Sequence, residues 1–166
     1  MLRSGPTSRT QDGCTRSLAC KERQPHSRTT YRNGPFMNFT PKTAFRTTNA
    51  PQPAGPYSQG IEANGFFYTA GFGPQDPATG AVPDSVGEQT RQVLRNVQSI
   101  LKERGLTMDH CVKTTVHLAD LADFAEFNDA YQEFFSEPYP VRTTVGSQLA
   151  DILVEIDVVA AVPESK

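Results

Sequence analysis

Arg142 is the residue in this chain best suited to hold a small anion. Between Lys113 and Lys166 it is the only Lys or Arg, and it shares that stretch with ten acids. It follows Pro140-Val141 and opens a β-like run, Arg142-Thr143-Thr144-Val145. A guanidinium is permanently charged, and its planar fork of donors matches a carboxylate bidentately. Position alone nevertheless favours a structural ion pair with Glu155 or Asp157 over a ligand anchor. Other chemistry is sparse. His26, His110 and His117 are isolated, with no His or Cys pair at metal-ligand spacing, and His117 reads as a strand surface residue. Gly71-Phe72-Gly73-Pro74 begins like a nucleotide-binding glycine fingerprint but lacks the third glycine and the helix that must follow. No Gly-x-Ser-x-Gly elbow is present. Tyr57 lies in Gly55-Pro56-Tyr57-Ser58-Gln59-Gly60, a constrained loop that presents a phenol either to a ligand or to a core edge. Asn128, inside a helical segment, would by itself be read as surface.

The elements that must position these residues follow from periodicity. Ala44–Thr48 reads as a short first strand, 51–60 as a Pro- and Gly-rich structured loop, and Gly65–Gly71 as a glycine-bounded second strand. Ser85 with Glu88 forms a capping-box pattern, and Gly105 suits the position after a helix. Between them Val93, Leu94, Val97, Ile100 and Leu101 make one apolar stripe. A strand over 111–118 is expected to place Val112, Thr114, Val116 and Leu118 on one face, with Cys111 a reduced core residue. A second helix is capped by Asp120 or Asp123, carries Phe124, Phe127, Tyr131 and Phe134 at helical spacing, and stops at Glu137-Pro138. Two strands close the chain; in the last, Ile152, Val154, Ile156 and Val158 alternate with Leu153, Glu155, Asp157 and Val159. The order is β-β-α-β-α-β-β. Two helices with one apolar stripe each cover one face of a single mixed sheet, an α+β fold. The half-apolar opposite face is expected to pack against another copy of the chain.

Charge divides the 166 residues into two parts. Residues 1–40 carry seven Lys/Arg against two acids, a formal +5, and 41–166 a formal −7. The first part is rich in Arg, Ser, Thr, Gly and Pro and poor in aliphatic residues, so a disordered basic extension is expected there. Met37 marks the change in composition, so 1–36 reads as an upstream start-site extension, with organelle targeting less favoured. The second part is one domain with a modest core. Its acidity argues against a nucleic-acid surface, and no apolar run is long enough to span a bilayer. Three cysteines without metal-ligand spacing suit a reducing, cytoplasmic setting.

These pieces also match a family pattern. Asn49-Ala50-Pro51, Gly55-Pro56-Tyr57-Ser58-Gln59-Gly60, Tyr68-Thr69-Ala70-Gly71, Val112-Lys113-Thr114-Thr115-Val116, Asp123-Phe124 with Asn128 and Tyr131, Pro140-Val141-Arg142 and Val154-Glu155-Ile156 occur in order and at compatible spacing. From about Thr47 to Ala161 the chain resembles the Rid family (YjgF, reactive-intermediate deaminases), which makes 41–166 a Rid-like domain. The resemblance implies a chorismate-mutase-like homotrimer with clefts between subunits. It implies hydrolysis of reactive enamines and imines such as 2-aminoacrylate to 2-keto acids and ammonia, with no metal or organic cofactor. Arg142 corresponds to the carboxylate-binding arginine, Tyr57 to a cleft tyrosine, Asn128 to an interface asparagine, and Glu155 to the glutamate that orients water. Ala70 stands where a serine is usual, Thr144 where many members have cysteine, and Phe72 where a small or polar residue is common; Phe72 is expected either to narrow the pocket or to favour apolar side chains on the substrate. These departures bear on substrate identity. A ring-derived amino or imino acid as substrate, and a carboxylate-binding trimer without catalysis, stay open beside the leading reading. A ribonuclease activity, also attached to the family, fits an acidic domain poorly.

Overall fold

The computed structural model describes residues 41–164. The disordered extension expected over 1–40, with its start-site and targeting readings, lies outside the described residues. Six strands form one sheet: β1 Thr43–Phe45, β2 Gly60–Ala63, β3 Phe66–Thr69, β4 Cys111–Leu118, β5 Val141–Gly146 and β6 Val154–Ala161. Their order across the sheet is β1-β2-β3-β6-β4-β5. Every pairing is antiparallel except β4 with β5, which run parallel. That parallel step needs a crossover, and helix α2 (Phe124–Tyr131) supplies it. The mixed single sheet with two helices is as expected, with one short strand added. Asn64 and Gly65 both have positive φ, 51° and 78°. Both central residues at positive φ make a two-residue hairpin turn of the kind Asn-Gly favours, and it folds β2 back onto β3.

Helix α1 (Val86–Lys102) forms as its pattern requires. The Ser85 hydroxyl accepts a hydrogen bond from the Glu88 N–H, satisfying one donor of the first turn. After the helix Gly105 takes φ 75°, and the Leu106 N–H returns to the Leu101 carbonyl. The stripe Val93, Leu94, Val97, Ile100 and Leu101 is completely buried. Helix α2 is preceded by a 3-10 turn, Leu121–Asp123, capped by the Asp120 carboxylate on the Ala122 N–H. Another 3-10 turn, Gln132–Phe134, follows it. Glu126 of α2 accepts from the Gly87 N–H at 3.0 Å, which joins the two helices at the positive end of α1.

The core lies between the helices and one face of the sheet. In β6 Val154, Ile156, Val158 and Ala160 point inward, and Glu155, Asp157 and Val159 point outward half-buried. The β4 pattern needs a correction. A register shift between Cys111 and Lys113 interrupts the alternation, so Val112 is exposed and Cys111 takes the inward place beside Thr114, Val116 and Leu118. A bulge adds one residue to one strand and re-aims its neighbours; reading the strand as uniform put Val112 on the wrong face. On the outer face Phe66, Tyr68, Val141 and Val145 are all exposed.

Candidate functional site

Arg142 rises from β5 on the helix side. In the parallel ladder Thr114 lies opposite Arg142 and Val116 opposite Thr144. Thr114 and Val116 are fully buried on that side. The guanidinium carbon lies over three aromatic rings of α2, 4.7 Å from the centre of Tyr131, 5.3 Å from Phe127 and 5.6 Å from Phe124. No ion pair among the described residues includes Arg142; the pairs formed are Arg91 with Glu88 and Glu133, and Arg104 with Glu62. The structural ion pair with Glu155 or Asp157 is therefore not what this fold makes. Those acids leave the outer face of β6, and β4 separates β6 from β5. Two strand spacings put the backbones about 10 Å apart, with the side chains on opposite faces. Arg142 instead opens onto a cavity of about 520 Å³ bordered by Asn128, Tyr131, Tyr139 and Pro140.

Glu155 sits in a second place. Two grooves, of about 460 and 340 Å³, meet along it and share Tyr57, Ala70, Gly71 and Glu155 as lining. The backbone explains why. Tyr68 pairs with Val159, and Phe72 next bridges Ile156, so one extra residue bulges from the chain between them. The Thr69 hydroxyl fills the gap by accepting from the Val158 N–H at 2.9 Å. The bulge brings Gly71 beneath the carboxylate so closely that a Cβ there would stand 2.5 Å from Glu155 Oε1. Across the outer face Glu155 pairs in register with His117, whose Nδ1 is 2.7 Å from the Ser147 hydroxyl. His117 is thus half-buried and hydrogen-bonded, where a plain surface residue was expected.

Tyr57 is half-exposed on the loop between β1 and β2. Its hydroxyl accepts from the Ala54 N–H at 3.1 Å, and its own N–H closes a tight turn onto the Gly55 carbonyl. Gln59, 1 % exposed, anchors that loop: its Oε1 accepts from the Thr47 N–H, and its Nε2 donates to the Pro51 carbonyl. Such an amide replaces the ladder bonds a loop lacks. Asn96, also 1 % exposed, holds the opposite rim by donating to the carbonyls of Gly73 and Gln75.

Four of the six candidate residues accordingly fall into two groups that share no lining residue within one chain. Arg142 and Asn128 border one cavity, and Tyr57 and Glu155 the other. Thr144 follows Arg142 on the same face, and its hydroxyl oxygen is buried without a hydrogen-bond partner among the described residues. Phe72 touches the groove, but it is 3 % exposed and belongs to the hydrophobic core. It pairs with inward-facing Ile156, so its ring is turned away from where a pocket-narrowing residue must point. Sequence reasoning missed the aromatic bed under Arg142, although the spacing of Phe124, Phe127 and Tyr131 was its signal. It also missed Gly71 as the floor under Glu155. Cys111 is no nucleophile: burial, with Asp109 adding to it, pushes its thiol up to about 12. Among the described residues no three His, Cys, Asp or Glu side chains cluster as metal ligands would.

The chain is similar in sequence and in fold to known proteins. A family model described as Endoribonuclease L-PSP matches residues 47–162. A RutC family protein from Pyrococcus horikoshii is 45 % identical over 122 residues, covering 72 % of this chain and 97 % of its own. A 2-iminobutanoate/2-iminopropanoate deaminase from Salmonella typhimurium is 42 % identical over 119 residues, covering 69 % of this chain and 93 % of its own. Among solved structures, Escherichia coli TdcF with bound serine superposes with a TM-score of 0.68 at 36 % identity, covering 72 % of this chain and 98 % of its own.

Proposed function

The chain belongs to the family matched over residues 47–162, the Rid (YjgF/RidA) proteins, and from that premise we propose that it hydrolyses reactive imines of small 2-amino acids to 2-keto acids and ammonia. The observation that carries this reading is the state of Arg142: a permanent cation resting on aromatic faces, free of any carboxylate partner among the described residues, at the edge of a cavity. An anionic ligand would supply the counter-charge that this half-buried cation lacks among the described residues. The TdcF relative holds serine, a small carboxylate of the class this cavity would take.

Because Arg142 and Glu155 face opposite sides of one chain, the proposed site is completed between copies. The exposed apolar outer face of Phe66, Tyr68, Val141 and Val145 is the surface on which copies would meet, as a homotrimer. In that cleft Arg142 with Asn128 holds the substrate carboxylate, while Glu155 with Tyr57 faces the imine carbon. An enamine first tautomerises to the imine. Water adds to the carbon of the protonated imine, giving one proton to Glu155 and leaving a neutral carbinolamine. Glu155 then passes that proton to the nitrogen, the C–N bond breaks, and the hydroxyl proton goes to the departing ammonia, which leaves as ammonium while the oxygen becomes the keto oxygen. Such imines hydrolyse without an enzyme, so holding carboxylate and water in place is enough catalysis to matter.

The test generates imines in situ with an amino-acid oxidase and follows their disappearance. The protein is expected to accelerate it, and Arg142→Ala to remove the acceleration by about a hundredfold, the scale of one lost charge-assisted bidentate contact. No acceleration across a panel of amino-acid-derived imines ends the proposal. Turnover only of ring-derived imino acids would move the substrate class, and carboxylate binding without turnover would reduce the protein to a binding trimer. The acidity of residues 41–166, formally −7, speaks against an RNA substrate despite the family model's description.

A further inference from the structure

Arg142 is unusual in how it is held. Side chains that present a guanidinium to a ligand are commonly fixed by a carboxylate, and here no described residue accepts that role. What fixes it is a bed of rings. Tyr131 is the nearest, at 4.7 Å, well inside the distance at which a cation is attracted to a ring face. Tyr131 is itself immobilised. Its ring stacks on Phe135 at 4.5 Å, lies 5.4 Å from Phe127, and is 6 % exposed. Its hydroxyl is 2.9 Å from the Thr114 hydroxyl in a buried hydrogen bond. Thr114 is also the residue paired with Arg142 in the β4–β5 ladder. The bond therefore ties the ring to the strand pair from which the arginine rises. Burial raises the phenol's pKa, so the ring stays neutral beneath the cation.

Resting on the reading that Arg142 binds the substrate carboxylate, we propose that Tyr131, pinned by Thr114, is a positioning residue that lays the Arg142 guanidinium flat and so leaves its hydrogen-bonding fork for the ligand. A carboxylate partner within the protein would have orientated the arginine by occupying two of its five N–H donors, one edge of the fork. An aromatic face orientates it and consumes none, because the attraction acts on the π face of the ring. The bed also excludes water from one side of the cation, which strengthens its attraction for an incoming anion.

The experiment titrates the full-length protein with pyruvate and with pyruvamide, its uncharged isostere, by NMR. It uses the wild type, Arg142→Ala, Tyr131→Leu and Tyr131→Phe. Tyr131→Leu is expected to weaken pyruvate binding roughly three- to thirtyfold, the fold-change of one desolvated cation–π contact, and to leave pyruvamide unchanged. Tyr131→Phe keeps the ring and loses only the bond to Thr114, so its loss is expected to be under about threefold. In the Arg142→Ala background Tyr131→Leu should cost nothing further. If Arg142→Ala binds pyruvate like the wild type, the carboxylate reading itself fails. If Arg142→Ala loses binding while folded Tyr131→Leu keeps it, or loses pyruvate and pyruvamide equally, the positioning role is overturned. Should Tyr131→Leu not fold, Phe124→Leu, at a 40 % exposed position, tests the same bed. A loss selective for pyruvate supports it, and no selective loss overturns it.

Discussion

Gly71→Ala separates the placement of Glu155 from the stability of the fold. Gly71 does not use positive φ, so alanine suits its backbone. The new methyl would meet Glu155 Oε1 at 2.5 Å, Cδ at 2.8 Å and Cγ at 3.1 Å. Ordinary carbon contacts are about 3.5 Å, so the carboxylate must retreat by about 1 Å. A misplacement of that size costs on the order of 10²-fold in rate when the group must meet a reacting atom, or about 2.7 kcal/mol of barrier. Stability should hardly change. What yields is the tip of a half-buried side chain, at about 1 kcal/mol for an off-rotamer shift, and alanine restores a similar amount by restricting the unfolded chain. Arg142 and Asn128, which hold the carboxylate, line a cavity that Gly71 does not touch within its own chain, so pyruvate binding should fall much less than turnover. The assays are imine turnover, an NMR titration with pyruvate and thermal denaturation, all on one preparation. Full turnover in Gly71→Ala would refute the role given to Glu155; loss of folding would refute the claim that only a flexible carboxylate stands in the way.

Gly60→Ala makes the same chemical change with the opposite outcome. Its methyl would come within 2.7 Å of Cε1 of the Phe67 ring, which is completely buried, so it should lower unfolding free energy by about 1–3 kcal/mol in a denaturant titration. Gln59→Leu leaves the Thr47 N–H and the Pro51 carbonyl without partners. It should cost about 3 kcal/mol and reduce turnover by loosening the Tyr57 loop, measured by denaturation and by the imine assay. The Cys111 thiol, pushed up to about 12 from 9.0, stays protonated in the folded state while the unfolded chain ionises. Its contribution to stability is present below pH 9 and is lost as pH rises from 9 towards 12. Cys111→Ala should therefore lose less stability than wild type over that interval, and peptide mapping after alkylation at pH 8 should find Cys111 unmodified until the protein unfolds.

Much of the fold was legible because its signals are local. The α1 stripe, its Ser85 cap and the Gly105 terminus are set within one helix, and the alternation of β6 within one strand. The hairpin of β2 and β3 has a local signal too, the Asn64-Gly65 turn, which a single strand over 65–71 does not use. The Val112 error has a different cause. A β-bulge is set by the partner strand, here through the pairing of Cys111 with Ala160 and Lys113 with Val159, and leaves no trace in the alternation of β4 itself. The direction of Phe72 is set in the same non-local way, by its bridge to Ile156 across the sheet.

The sequence by itself determined the types of group available: one arginine in an acidic stretch, an outward glutamate on the last strand, a tyrosine in a Pro-Gly loop, and an ordered set of segments that names the family. Tertiary structure decided what those groups do. Sequence cannot say whether Arg142 meets a carboxylate of its own chain, because that depends on which face of which strand each occupies. Once β4 is inserted between β5 and β6, Glu155 and Asp157 are out of reach and three rings of α2 lie under the guanidinium. A charge that local reading would neutralise internally is thereby left without a carboxylate partner among the described residues.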